Sequence, residues 1–240
     1  MKKLTIILLV ALVLVPSVFG QTEGSKDGIK EYTIDLYDSS RNRLIPIVIN
    51  SPLNENKNDV VIFNHGYGEN KGGDYKLYSH ITRTLAQNGY FVISIQHELP
   101  TDALLAMEGD LCKSRMPNWK RGAENILFSI IEFKKLKPDL NWDKVSIAGH
   151  SNGGDMIMLF AKEYPQYLYK AISLDNRRMP LPRISKPRIY SLRGSDYPAD
   201  EGVIPSYEEQ ENNKITVIYL DDIKHTQMDN KTSKDKSKII

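Results

Sequence analysis

The sequence predicts an α/β protein in which a mostly parallel, doubly wound sheet carries helices on both faces. Three observations lead there. The unbroken apolar run at 60–63 marks a strand covered on both faces, and further β-rich segments follow at 90–95 and 144–148. Stretches with helical spacing separate them. Finally, Gly149-His150-Ser151-Asn152-Gly153-Gly154 stands where an apolar strand passes directly into a helix.

The elements follow in order. Residues 1–20 read as a secretory signal peptide, with Lys2 and Lys3 as its basic end, Leu4 to Val15 as its apolar core and a cleavage site before Gln21. Pro16 interrupts the apolar run, which is shorter than the ~20 residues of a spanning helix, so export is favoured over a lasting membrane anchor. The expected location is secreted or periplasmic. Residues 21–30 are polar and read as a loose lead-in. Two β-rich runs follow, 31–37 and 44–50, joined by Asp38-Ser39-Ser40-Arg41-Asn42; the first alternates Tyr32, Ile34 and Leu36 against polar neighbours.

Residues 60–63 form the first buried strand. The apolar positions Leu77, Tyr78, Ile81 and Leu85 predict a helix over 74–87, closed by Asn88-Gly89. A strand at 90–95 comes next, then a connection over 96–117 and a helix over 119–135. The strand 144–148 enters the glycine-rich turn, and residues 155–162 read as the helix beyond it. Strands at 168–174, 188–192 and 215–220, with a brief helix at 207–213, complete the sheet. Residues 233–240 predict a C-terminal helix that is short and weakly docked, or truncated: only Ile239 and Ile240 could anchor it. Residues 21–240 thus make one domain, without internal repeats.

Composition excludes several functions. The formal net charge of +2 equals Lys2 and Lys3, so the remaining chain is balanced and offers nothing to nucleic acid. Cys112 is the only cysteine, which rules out an internal disulfide. No histidine pair has zinc-ligand spacing and no glycine loop has the phosphate-binding form, so neither metal nor cofactor is expected.

The turn itself carries chemistry. A serine on so sharp a bend holds a strained backbone, and side chains two residues to either side would strike the adjoining strand and helix; Gly149 and Gly153 remove them. The hydroxyl of Ser151 then projects from the sheet edge, beside the N-terminal amides of the next helix. The alternative is a glycine-rich turn with a bystander serine.

Together with this turn, Asn64-His65-Gly66-Tyr67-Gly68 after a central strand, Gly194-Ser195-Asp196 after a later one, and His225 beyond the last strand resemble the α/β-hydrolase family over nearly the whole mature chain. The order Ser, Asp, His is the family's order. The resemblance extends to exported bacterial esterase-like members. It implies a serine hydrolase, most simply a carboxylic-ester hydrolase on small-molecule esters that proceeds through an acyl-enzyme. Ser151 would be nucleophile, His225 base, and the N–H groups of Tyr67 and Asn152 the oxyanion hole. The acid is expected at Asp196, with Asp200 and then Asp175 as alternatives. His65 should brace the oxyanion loop and His150 should pack beside the turn. His80 should face solvent, and His97 should line the pocket or support it. The connection 96–117 could form a modest apolar lid. Arg177, Arg178 and Arg193 could meet an anionic substrate. A serine peptidase or amidase, or a non-catalytic binding protein of the same fold, are the alternatives.

Overall fold

The computed structural model describes residues 19–238. These form one nine-stranded sheet. Its strands are β1 (Phe19–Lys26), β2 (Ile29–Asp38), β3 (Arg43–Pro52), β4 (Asp59–Asn64), β5 (Phe91–Ile95), β6 (Asn141–His150), β7 (Lys170–Leu174), β8 (Arg188–Arg193) and β9 (Thr216–Tyr219). The helices are α1 (Ser79–Gln87), α2 (Leu111–Leu136), α3 (Asn152–Glu163) and α4 (Tyr207–Asn213). The strand order is β1-β2-β3-β5-β4-β6-β7-β8-β9. From β5 to β9 every neighbour is parallel, while β1, β2 and β3 make an antiparallel extension onto β5.

This order sets the site. The chain leaves β4 towards β5 on one side, and leaves β6 towards β7 on the other. The loops after the adjacent strands β4 and β6 therefore diverge, opening a crevice at their carboxyl ends. The central strands are covered mainly by apolar side chains: Val60, Ile62, Phe63, Phe91, Ile93 and Ile147 are buried. On one side Trp119, Ile126 and Phe133 of α2 and Met156 to Ala161 of α3 join the core. On the other, Val61, Phe63 and Val92 pack with Tyr78 and Ala86.

Three expectations need correction. Residues 21–30 are not a loose lead-in, since Phe19–Lys26 pairs antiparallel with β2 before a turn at Asp27 and Gly28. The rest of the expected signal peptide lies outside the described residues. The segment 74–87 is not one helix: a 3₁₀ turn at Asp74–Lys76 precedes α1, and Tyr78 between them has extended φ (−127°) and a buried ring. Leu77, expected on the apolar side, is exposed. The third correction concerns α2, which begins eight residues before Trp119. The Asp110 carboxylate accepts the Lys113 N–H (3.2 Å) at its start, and Pro117 lies within the helix. That leaves a connection of 96–110, in which Leu105 is buried but Leu104 and Met107 are exposed. The C-terminal segment is short, as expected: its described part forms one 3₁₀ turn, Lys236–Lys238.

Candidate active site

Ser151 joins β6 to α3 with φ 53° and ψ −119°, a conformation few non-glycine residues adopt. Hydrogen bonds fix it: its N–H donates to the Leu174 carbonyl (2.9 Å), and its carbonyl accepts the Asp155 N–H (2.9 Å). A Cβ on Gly149 would lie 2.6 Å from the Gly153 carbonyl oxygen, and one on Gly153 would lie 2.4 Å from that of His65. Both glycines are steric requirements of the turn.

His225 opens a 3₁₀ turn after β9. Its Nε2 lies 3.1 Å from Ser151 Oγ, and its Nδ1 lies 2.5 Å from Asp175 Oδ2. With Nδ1–H donating to the carboxylate, Nε2 presents its lone pair to the serine hydroxyl. Asp175 is fully buried at the end of β7. Its other oxygen accepts the Gly194 N–H (3.0 Å) and lies 3.1 Å from Arg193 Nη2. Burial alone would raise this carboxyl's pKa. The His225 hydrogen bond, the Arg193 guanidinium and the Gly194 N–H outweigh that and hold it below the usual range.

The acid expected at Asp196 is therefore misplaced. Asp196 Oδ1 accepts the main-chain N–H of His225 (2.7 Å), so it holds the backbone of the base. Asp200 is half-exposed and paired with Arg178 (2.7 Å). Sheet order explains the difference. β7 adjoins β6, whereas β8 is one strand further from Ser151, and neighbouring strands lie about 4.8 Å apart. A residue ending β7 is nearer the serine than one beyond β8. Arg193, expected as an anion contact, is buried against Asp175 and the Asn176 carbonyl (2.6 Å).

The loop after β4 faces the start of α3. As the first residue of α3, Asn152 has no carbonyl in its own helix for its N–H. Its side chain is locked: Oδ1 accepts Trp119 Nε1–H (2.8 Å), and Nδ2 donates to Glu98 (3.1 Å) and Asn118 (2.9 Å). His65 Nε2 accepts the His97 N–H (2.9 Å), which leaves Nδ1–H to donate to the Gly66 carbonyl (2.7 Å). His97 is buried with Nε2 2.8 Å from Asn64 Oδ1. It supports the loop through these contacts. Burial, then the neighbouring charges, push its pKa well below the usual imidazole value. His80 is half-buried beside Asn230 (3.2 Å), not solvent-facing.

Local sequence marks Tyr78 only as an apolar helix position, not as a member of the site. Its hydroxyl accepts the Gly66 N–H (3.0 Å) and donates to His150 Nδ1 (2.8 Å); His150 Nε2–H in turn donates to the His225 carbonyl (3.1 Å). One chain of bonds thus ties the loop after β4 to the histidine that meets Ser151. Burial lowers the His150 pKa to about 3, so its ring is neutral. Beside Ser151 lies a cavity of about 270 Å³ lined by Tyr67, Leu105, Asn152, Arg115, Arg177 and Arg178, among others.

A family model described as chlorophyllase matches residues 16–173. That span includes the loop after β4 and Ser151, and ends before Asp175 and His225. No curated protein matches the chain. Among solved structures it resembles methylesterase BT1017 at 13% identity and a TM-score of 0.61, over 88% of this chain and 54% of that one. The chain thus spans about half the methylesterase's length. It resembles a cold-adapted esterase from an Arctic intertidal metagenomic library at 13% identity and a TM-score of 0.59, over 88% and 91%. A third likeness is to an S-formylglutathione hydrolase from Agrobacterium tumefaciens, at 12% identity and a TM-score of 0.60, over 85% and 89%. At these identities the likenesses establish the α/β-hydrolase fold.

The two neutral, buried histidines set a pH dependence. His97 and His150 have folded pKa values below the unfolded value near 6.5, so the unfolded chain binds more protons once pH falls through it. Their contribution is complete above that value and is lost as pH falls. Between pH 7.5 and pH 5 each should remove about 2 kcal/mol of stability. Denaturant midpoints should shift down accordingly; equal midpoints at the two pH values would contradict the buried, neutral assignment.

Proposed function

The chain belongs to the chlorophyllase family, and on that premise we propose that it is a serine ester hydrolase working through Ser151, His225 and Asp175. The observation that carries this is the hydrogen-bonded series from Asp175 Oδ2 through His225 to Ser151 Oγ, at 2.5 and 3.1 Å. Family membership and the esterases among the structural neighbours support an ester as the bond cleaved.

In this reading His225 Nε2 takes the Ser151 proton as Oγ attacks the ester carbonyl. The carbonyl oxygen becomes an anion, received by the main-chain N–H groups of Asn152 and Tyr67. His225 then gives its proton to the departing alcohol, leaving an acyl group on Ser151. Water, deprotonated by the same nitrogen, releases the acid. Asp175 fixes the tautomer and stabilises the imidazolium, while Tyr78 and His150 keep base and loop in register. The small cavity favours small or medium acyl groups. The basic, apolar start of the chain supports export, with cleavage before Gln21.

Two outcomes are expected. A fluorophosphonate probe should label the wild type and not Ser151→Ala, and Asp175→Asn should lower turnover by about 10⁴ with the fold intact. Asp196→Asn should cost far less. A folded wild type that does not label would end the enzyme reading, and collapse in Asp196→Asn with a normal Asp175→Asn would exchange the two acids. Expressed in a bacterial host, the exported protein should begin at Gln21 by N-terminal sequencing; a retained Met1 would contradict the signal peptide.

A further inference from the structure

The cavity beside Ser151 carries more positive charge than a neutral ester needs. Arg115 reaches it from α2, and Arg177 and Arg178 from the loop after β7. Arg178 has an acid, Asp200, at 2.7 Å. Asp155 also lines the cavity, but one of its oxygens accepts the N–H groups of Arg178 (3.0 Å) and Met179 (2.8 Å) and the Asn176 amide (3.3 Å). Neither Arg115 nor Arg177 has a carboxylate at ion-pair distance among the described residues. Arg115 Nε donates to the Ala106 carbonyl (2.9 Å). Arg177 lies over the Tyr197 ring (4.6 Å) with Nη2 3.4 Å from His225 Nε2. Such contacts orient guanidinium groups without neutralising them. Burial, followed by the charge of Arg178, depresses the Arg115 pKa, which accords with cations crowded on one space.

We propose that the substrate is an ester bearing a second, ionised acid group, carboxylate or phosphate, held by Arg115 and Arg177 in this cavity. Planar guanidinium forks match the oxygens of either group. Leu105, Met107 and Leu111 wall the short carbon chain between that anion and the scissile carbonyl. This rests on the esterase reading and adds to it a chemical class of substrate.

The position of Arg177 adds a consequence. Its N–H faces the same lone pair of His225 Nε2 that must receive the Ser151 proton. An anion that draws Arg177 to itself leaves Nε2 to the serine alone. Substrate charge should then act on kcat as well as on KM.

The test compares 4-nitrophenyl butyrate with 4-nitrophenyl hydrogen glutarate, which adds a terminal carboxylate. The wild type should prefer the glutarate ester in kcat/KM by at least about tenfold, the range of a hydrogen bond to a charged group. Added salt should reduce that preference. Arg115→Gln and Arg177→Gln should each lower the ratio about ten- to a hundredfold, with Arg177→Gln acting on kcat too. Competitive inhibition of the wild type by glutarate would assign a carboxylate, and inhibition by inorganic phosphate a phosphate. Equal rates on both esters, with a ratio unmoved in both variants, would overturn the inference and leave the esterase reading standing. Turnover of neither ester, with no fluorophosphonate labelling, would overturn both.

Discussion

The Cα of Gly153 faces the carbonyls of Asn64 and His65 so closely that a methyl group there would lie within 2.5 Å of both oxygens. That approach joins the start of α3 to the end of β4, and the rest of the site depends on it. It sets Asn152 opposite the loop 65–68 and holds Ser151 at a positive φ. The strain of that backbone is offset by its two main-chain hydrogen bonds and the packed apolar face of α3. A sheet whose connections diverge at β4 and β6 supplies the space.

Around this contact the polar groups are arranged in two bonded chains. One runs from Asp175 through His225 to Ser151, the residues to which the proposed chemistry is assigned. The other runs from Gly66 through Tyr78 and His150 to the His225 carbonyl, and ties the loop to the base. A third set of buried amides and carboxylates, Glu98, Asn118 and Asn152, lies under the turn with Trp119. Glu98 Oε1 accepts from both amides, and these bonds hold the Asn152 side chain in one orientation.

Local sequence made the sheet and the turn legible. An unbroken apolar run marks β4, β-rich segments mark β5 and β6, and the glycines around Ser151 follow from sterics that any chain must obey. The choice of acid was not legible. Asp175 and Asp196 both follow apolar strands, and only the sheet order β6-β7-β8 tells which stands nearer the serine. Tyr78 was read as one more apolar position of a helix, because the break after Lys76 that turns its ring inward depends on partners distant in sequence. β1 escaped notice because its pairing along β2 comes from the backbone, while its composition is that of a loop. His97 stands at a strand end where ligands could bind, but the His65 ring and Asn64 cover it.

In the proposed mechanism Ser151 forms a covalent acyl intermediate at the mouth of this crevice. Rapid acid quench of the enzyme during turnover of a 4-nitrophenyl ester, followed by peptide mass spectrometry, tests it directly. One acyl group is expected on the peptide containing Ser151, present in the wild type and missing from Ser151→Ala. Steady turnover with no acyl group on that peptide, or an acyl group on another residue, would contradict it.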